Sequence, residues 1–369
     1  MLLANTSLLI ICFLLAGLFM GWLLHRSDFC ISGILRDAFL FRSYALLPSL
    51  LLVVVAGLIV FQLARAAGVI PADLPPTYSS DISLTVFAGG LLFGVGMVLA
   101  GGCVVGTLYK LGSGNLTSLI AFIGMMAGSM LYAEIHPLVN GLHDLTLVTG
   151  NTTLLQTPAS LGGSIPWVLI ALGSLPLLIW QRQGKIRVDT VIDGYIQPWR
   201  VALILAALNL LIYILGGWPM AVSTAYTKIA AFLELLVAPG HVAQLAFFQQ
   251  DSRVVETVVG ELSGGPGPRV DLIFITDLPL LVGVILGALA SALMLGTLRL
   301  HGWPSLRQGF TAFGGGILVL LGARIAGGCN LTFILGGLPL LSLQAILFTF
   351  GLLVGAWLGS LMLSRIIFR

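Results

Sequence analysis

Charged residues are scarce in this chain. Lys and Arg together number 17 and Asp and Glu 14, which is 8% of the 369 residues, whereas 58% are hydrophobic. Soluble globular domains carry about 25% charged residues, so a water-soluble protein is excluded. The formal net charge of +3 is too small and too dispersed for a nucleic-acid partner. The composition therefore predicts a polytopic membrane protein that lies in the lipid bilayer.

Cysteine and histidine are scarce as well, with four and five residues. No C-x-x-C pair occurs and the histidines are scattered, so we expect no metal site and no cofactor. A phosphate-cradling ATP motif is missing, which disfavours direct coupling to ATP. An enzyme acting through cysteine would need a nucleophile with a positioned base, and no such motif is present. These absences favour a transporter over an enzyme.

Long apolar runs predict an all-α fold. A helix of about 20 residues crosses a bilayer core of about 30 Å. Nine runs have this length, at 7–24, 44–64, 82–99, 115–134, 164–181, 200–217, 277–298, 308–325 and 340–363. Four helix-like segments are too short to cross, at 28–41, 103–111, 219–237 and 329–337. We expect these to be re-entrant and to surround a pathway, because such backbone is tolerated only where protein or a water-lined cavity satisfies it.

The positions of the cations predict the orientation of the chain. Cytoplasmic loops of membrane proteins are enriched in Lys and Arg. Here the cations flank 182–199, follow residue 298 and end the chain, whereas the loops at 66–81, 136–163 and 249–276 have few cations. With nine spans, we expect the N-terminus outside and the C-terminus in the cytoplasm.

Two segments of the chain share a Gly-Gly-Cys step. Ala100-Gly101-Gly102-Cys103 recurs 226 positions later as Ala326-Gly327-Gly328-Cys329, and the matching register extends back to Phe87 and Phe313. The span count gives 82–99 and 308–325 opposite directions, which predicts an inverted repeat with its binding site at the repeat interface. We expect a first half at 1–181, a cytoplasmic linker at 182–199 and a second half at 200–369.

The Gly-Gly-Cys step predicts a site for a small anion. Gly101, Gly102, Gly327 and Gly328 allow the backbone to turn sharply and to approach a ligand closely. A helix that begins at the cysteine offers unpaired N–H groups and the positive end of its dipole, which favour an anion. The thiol itself is a weak donor and a polarizable contact, so it suits a sulphur- or selenium-bearing solute better than a hard oxyanion.

The candidate residues also have structural interpretations. A free cysteine in an apolar protein is most often a small buried hydrophobe, which is our interpretation of Cys12. Arg324 precedes the second Gly-Gly-Cys step, where it could contact an anion or bind carbonyl oxygens. Ser223 and Asn330 could hydrogen-bond a solute or satisfy backbone groups that the broken helices leave free.

Three longer motifs carry a resemblance to a known family. They are Ser27-Asp28-Phe29-Cys30-Ile31-Ser32-Gly33, the run from Phe93 to Cys103, and the run from Gly322 to Leu331 followed by Gly336-Gly337-Leu338-Pro339. Together they resemble the YeeE/YedE family of sulphur-transport membrane proteins, over essentially the whole chain.

The resemblance implies thiosulphate uptake across the bacterial inner membrane. By this analogy, thiols of Cys30, Cys103 and Cys329 contact the ion in turn, with Ser32 beside the first of them. It also implies a cytosolic sulphur-carrier or rhodanese-like protein as a partner. The Cys329-Asn330-Leu331 ending is more similar to a branch linked to selenium metabolism. A selenium transporter and a membrane persulphide-transfer protein therefore remain alternatives.

Overall fold

The fold is a bundle of long apolar helices, as the sequence predicts. The computed structural model of the chain describes residues 2–71, 81–149, 152–156, 164–188, 194–251, 253–300 and 302–367. Within these ranges, nine helical segments are long and apolar enough to cross a membrane. Two of them include a short helix, at Thr6–Leu40 and Leu84–Gly112. The prediction of an all-α polytopic membrane protein is confirmed.

The helices follow the predicted apolar runs closely. In chain order they are α1 Leu2–Ser27, α2 Ile31–Leu40, α3 Leu47–Ala66, α4 Leu84–Leu99, α5 Val104–Gly112, α6 Leu116–Leu145, α7 Ile165–Arg182, α8 Pro198–Gly216, α9 Ser223–Val237, α10 Pro239–Gln244, α11 Ala246–Gln249, α12 Leu272–Met294, α13 Leu306–Ala326 and α14 Leu343–Ile367, with a π-helical segment at Leu331–Gly337 and a 3-10 turn at Leu154–Gln156. The four short segments of the prediction are present as α2, α5, α9 and the π-helical segment.

Several helix boundaries differ from the predicted ones. Helix α6 continues to Leu145, about three turns beyond the predicted end at 134, and α12 begins at Leu272 instead of 277. Hydropathy marks where the chain leaves the hydrocarbon, whereas a helix ends where its backbone hydrogen bonds end. Helices can therefore extend beyond the apolar run.

The loop predicted at 249–276 contains a β-hairpin. Strands β3 Arg253–Thr257 and β4 Gly260–Gly264 pair antiparallel, with Arg253 opposite Gly264. A shorter antiparallel pair, β1 Ile82–Ser83 with β2 Leu147–Thr149, lies before α4 and after α6. Val255 of the hairpin packs against Trp218 and Leu272.

Side-chain caps fix where several helices begin. Ser83, Asn115 and Asp271 each accept a hydrogen bond from a backbone N–H in the first turn of α4, α6 and α12. Ser305 and Gln308 form a reciprocal capping box at the start of α13. Such caps satisfy donors that the first helical turn leaves free, and each stabilises a helix by about 1 kcal/mol.

Helices α4 and α13 cross in close contact through paired glycines. A Cβ on Gly89 would lie 2.6 Å from the carbonyl oxygen of Gly322, and a Cβ on Gly96 would lie 2.7 Å from that of Gly315. In the register of the repeat, Gly89 corresponds to Gly315 and Gly96 to Gly322. Exchanging the two halves therefore converts the contact between Gly89 and Gly322 into the contact between Gly96 and Gly315, as a pseudo-two-fold axis requires.

The same reciprocity extends to the next helices. Gly124 and Gly128 of α6 face the carbonyl oxygens of Phe313 and Ile317 in α13, and Gly351 and Gly355 of α14 face those of Phe87 and Leu91 in α4. The glycine spacing is the same in both pairs, and small residues at such positions allow membrane helices to pack backbone to backbone. The correspondence between α6 and α14 is shifted by one residue relative to that of the Gly-Gly-Cys steps.

Candidate functional site

The chain breaks in the same way at both Gly-Gly-Cys steps. Gly101 and Gly327 have φ of 71° and 81°, a left-handed conformation that residues with a side chain rarely adopt. The N–H of Gly101 bonds the carbonyl of Val98, and the N–H of Gly327 bonds that of Arg324, which are equivalent residues in the repeat. The first glycine of each step therefore ends one helix, and the cysteine precedes the next helical segment.

The sulphurs of the two steps have related surroundings. Cys103 is the N-cap of α5, and its Sγ accepts from the backbone N–H of Gly106 at 3.4 Å. Cys329 is fully buried, and its Sγ lies 3.5 Å from Oγ1 of Thr332. Each sulphur thus lies against the residue three positions later, as an N-cap side chain does.

The third cysteine of the motifs joins the first step. Cys30 is the N-cap residue of α2, with extended backbone and no side-chain cap bond. A Cβ on Gly106 would lie 2.8 Å from Sγ of Cys30 and 3.4 Å from Sγ of Cys103. Glycine at 106 therefore leaves room for two thiols at one point.

These thiols line a small cavity, here called the thiol cavity. Its volume is about 30 Å³, and its walls include Cys30, Cys103, Gly106, Tyr109 and Asn330, with apolar side chains completing them. One water needs about 10–15 Å³, so the space has room for about two or three waters. The amide of Asn330 is buried beside Cys103, and its Oδ1 has no hydrogen-bond partner among the described residues. Two soft thiols and one amide thus face an apolar space.

A second, polar space lies on the other side of residues 327–332. It measures about 170 Å³, and its lining includes Ser223, Thr224, Arg253, Arg324 and Thr332; we call it the Arg324 chamber. Arg324 donates from Nη2 to Oγ of Ser223 at 2.7 Å and from Nη1 to Oγ1 of Thr224 at 3.2 Å. Gly327 and Gly328 also line this chamber, whereas Asn330 and Leu331 line the thiol cavity. The segment that carries Cys329 therefore separates the two spaces.

A third space opens at the opposite end of the bundle. This Lys110 basin measures about 560 Å³ and is lined by Arg36, Gly101, Lys110 and Arg307 among others. Nζ of Lys110 donates to the carbonyl oxygen of Gly101 at 2.6 Å, so the lysine binds the first Gly-Gly-Cys step directly. Each of the two steps therefore lies between the thiol cavity and a wider polar space.

Most of the residues predicted for the site line these spaces, but fully buried Cys329 lines none of the three. Cys30, Cys103 and Asn330 meet in the thiol cavity, Ser223 and Arg324 meet in the Arg324 chamber, and Gly101 lines the Lys110 basin. Ser32 is buried and donates to the carbonyl of Met97, while Gly102 packs against Thr107, so both support the backbone. Cys12 is partly exposed on α1 and lines none of the three spaces.

Three polar residues that support the site were not predicted from the sequence. Tyr226 is fully buried and donates to the carbonyl oxygen of Val104, next to Cys103. Asn209 bonds the carbonyl of Leu335 at 2.6 Å and the N–H of Met220 at 2.8 Å, which ties the segments before α9 and after Cys329 together.

Tyr109 is the third, and it donates to Asp28 at 2.8 Å beside the thiol cavity. A lone amide in an apolar span, such as Asn209, is a signal that the sequence does contain. The two tyrosines carry no comparable signal.

Comparison with known proteins identifies the kind of protein. The profile of the family described as "Sulphur transport" matches residues 26–358. The chain is 28% identical over 371 residues to the "Thiosulfate transporter TsuA" of Spirochaeta thermophila, covering 95% of this chain and 98% of the relative. It is 25% identical over 356 residues to the protein of the same name in Escherichia coli, covering 94% and 92%. The "Probable transporter YedE" of Escherichia coli is 34% identical over 108 residues, which are 29% of this chain and 25% of that protein.

Proposed function

Since this chain belongs to the sulphur transport family, we propose that it imports thiosulphate across the bacterial inner membrane. Two relatives that match almost the whole chain are named thiosulfate transporters. The single observation that carries the proposal is the meeting of Cys30 and Cys103 at Gly106, in a cavity that also contains the amide of Asn330.

The thiol cavity fits the chemistry of thiosulphate. This ion has a polarizable terminal sulphur and three hard sulphonate oxygens. Neutral thiols are weak donors that suit the terminal sulphur, and an amide N–H₂ suits an oxygen. Sulphate offers only hard oxygens, so its contacts with the soft thiols of Cys30 and Cys103 are less favourable. The pair of thiols therefore selects for thiosulphate.

The solute moves along the three spaces in order. It enters through the Arg324 chamber, passes Cys329, occupies the thiol cavity and leaves through the Lys110 basin. Hydrogen bonds from successive thiols hold it, without a covalent intermediate and without a chemical reaction. Because residues 327–332 separate the chamber from the cavity, passage needs a transient displacement of this segment.

The direction of import follows from the charges at the two ends. The Arg324 chamber lies beside the hairpin loop at 249–276, and the scarcity of cations in this loop supports a position outside the cytoplasm. The Lys110 basin is lined by Arg307 and by Ile366 near the C-terminus, and the cations at this end of the chain support a cytoplasmic position.

The inverted repeat with halves 1–181 and 200–369 fits this arrangement, and the reciprocal glycine contacts support it. A cytosolic sulphur-carrier or rhodanese-like protein would receive the ion at the Lys110 basin.

An uptake assay with matched cysteine variants tests the function. Membrane vesicles containing the wild type should accumulate thiosulphate but not sulphate. Cys103→Ala should abolish uptake because it removes a thiol from the cavity, whereas the control Cys12→Ala, outside all three spaces, should retain it. Equal uptake by both variants, or equal transport of sulphate, would contradict the proposal.

Two further arms separate the alternatives. Cys103→Ser retains a hydrogen-bond donor, so a relay by hydrogen bonds keeps partial uptake, whereas covalent persulphide transfer loses all of it. Selenite and sulphite are offered in parallel with thiosulphate. Preferential uptake of selenite would support a selenium transporter instead.

A further inference from the structure

We infer that Arg324, Ser223 and Thr224 form a separate oxyanion-binding site, which takes the tetrahedral oxygens of sulphate and thiosulphate alike before the thiols select between them. The inference rests on the proposed function for its place in the pathway. It makes the Arg324 chamber a site of capture and leaves discrimination to the thiol cavity.

The first observation is the way in which Arg324 is held. Its two terminal nitrogens donate to the hydroxyls of Ser223 and Thr224, and its Nε is buried without a hydrogen-bond partner. A guanidinium is a planar fork of donors that matches an oxyanion in two places at once. The hydroxyls accept from Arg324 and still have a proton to donate, so they can serve the same anion.

The second observation is the balance of charge in the chamber. Arg253 also lines it, but its Nη1 is bonded to the carboxylate of Asp277 at 3.0 Å and its guanidinium lies 4.4 Å from the ring centroid of Trp218. No carboxylate lies within 4.0 Å of Arg324 in the part of the chain that is described. A cation at this depth is costly unless it is compensated, so an anion is the fitting occupant.

The third observation concerns what the chamber does not contain. Its described lining includes hydroxyls, arginines, His136 and Gln250, but no cysteine. All of these polar groups contact oxygen well, and none is a soft donor for a terminal sulphur. The chamber therefore cannot distinguish thiosulphate from sulphate by sulphur contacts.

Competition by sulphate tests the site. In vesicles containing the wild type, sulphate should inhibit thiosulphate uptake competitively without being transported. Arg324→Gln should raise the KM for thiosulphate by about 10-fold to 100-fold, the range for one charged hydrogen-bonding group, and should remove the inhibition by sulphate. Arg324→Lys keeps the charge but loses the fork, and should fall between. The control Arg182→Gln removes an exposed arginine that lines none of the three spaces, and both quantities should stay unchanged.

Direct binding separates this site from the transport function. Sulphate binding to the purified full-length protein, measured by calorimetry, should persist in Cys103→Ser and disappear in Arg324→Gln, with melting temperatures confirming that both variants fold. Binding that survives in Arg324→Gln, or that is lost equally in Cys103→Ser, would overturn the inference. If the wild type binds sulphate through Arg324 but transports no thiosulphate, the site stands and the proposed function fails.

Discussion

Replacing Gly322 with alanine tests whether the close approach of α4 and α13 positions the two Gly-Gly-Cys steps. The new Cβ would lie 2.5 Å from the carbonyl oxygen of Gly89 and 2.6 Å from the N of Phe93. Both neighbours are backbone atoms of a helix, so neither can rotate away. Ordinary contact begins near 3.4 Å, so the two helices must separate by about 1 Å.

The cost of this separation can be isolated with a neighbouring glycine. An alanine at Gly314, in the same helix, would have no heavy atom within 4 Å of its Cβ. Both substitutions gain about 0.5–1 kcal/mol because alanine is the better helix former. Overpacking a close interface costs about 1–3 kcal/mol, and only Gly322→Ala incurs it. The difference in free energy of unfolding between the two variants should therefore be about 1–3 kcal/mol.

The repeat supplies a second, independent variant. Gly96 is the equivalent of Gly322, and its Cβ would lie 2.6 Å from the N of Val319 and 2.7 Å from the carbonyl oxygen of Gly315. Gly96→Ala should consequently destabilise the protein by a similar amount. Melting temperatures of the three variants in detergent, at equal protein concentration, measure the order of stability directly.

Uptake adds the functional readout. The contacts of Gly96 and Gly322 lie within two turns of Cys103 and Cys329, so a displacement of about 1 Å reaches both cysteines. Misplacement of this size can lower a rate by about 100-fold. We expect lower thiosulphate uptake by Gly322→Ala and Gly96→Ala and normal uptake by Gly314→Ala. If Gly322→Ala were as stable and as active as Gly314→Ala, the close packing of α4 and α13 would not position the site.

Two further predictions concern polar contacts at the ends of the bundle and near its centre. Asn209→Leu should lower the free energy of unfolding by about 1–3 kcal/mol for each backbone group that loses its partner. The control Gln181→Leu changes an exposed position and should leave the free energy of unfolding unchanged. Thermal unfolding measures both variants. The hydrogen bond with Glu134 raises the pKa of exposed His241 above 6.5. The wild type should therefore have a higher free energy of unfolding than His241→Gln below pH 6.5, and this difference should fade as the pH rises through the raised pKa. A difference that grows towards alkaline pH would contradict this prediction.

Most of the fold could be predicted from sequence because bilayer thickness constrains it. A run of about 20 apolar residues has few alternatives to a crossing helix, and the short segments stand out by length alone. Hydropathy does not predict the extension of α6 to Leu145 or the hairpin at 253–264, because both lie where polar and apolar residues alternate in contact with water. The repeat can be aligned in the sequence only as far as Cys329, because the match between α6 and α14 that follows is shifted by one residue.

The geometry of the candidate site could be predicted where one segment contains both a thiol and the turn that positions it. Each Gly-Gly-Cys step contains its own turn and its own thiol, so Cys103 and Cys329 were accessible from sequence. Gly106 was not, because its role depends on Cys30, which lies 76 positions earlier. Tyr226 and Asn209 likewise act on backbone groups more than 100 positions away. Only the packed structure brings such partners together.

The repeat produces two similar breaks, but the chemistry beside them is different. In the register of the Gly-Gly-Cys steps, Arg324 corresponds to Val98 and Thr332 to Gly106. A separate, weaker alignment of residues 27–32 with 218–223 sets Ala221 opposite Cys30. Ala221 and Thr332 both line the Arg324 chamber. The chamber therefore occupies, in the second half, the position that Cys30 and Cys103 occupy in the first half. One half therefore presents a guanidinium and hydroxyls, and the other presents two thiols. On the proposed path, a solute that enters through the Arg324 chamber meets hard donors before soft ones, so capture by charge would precede selection by sulphur.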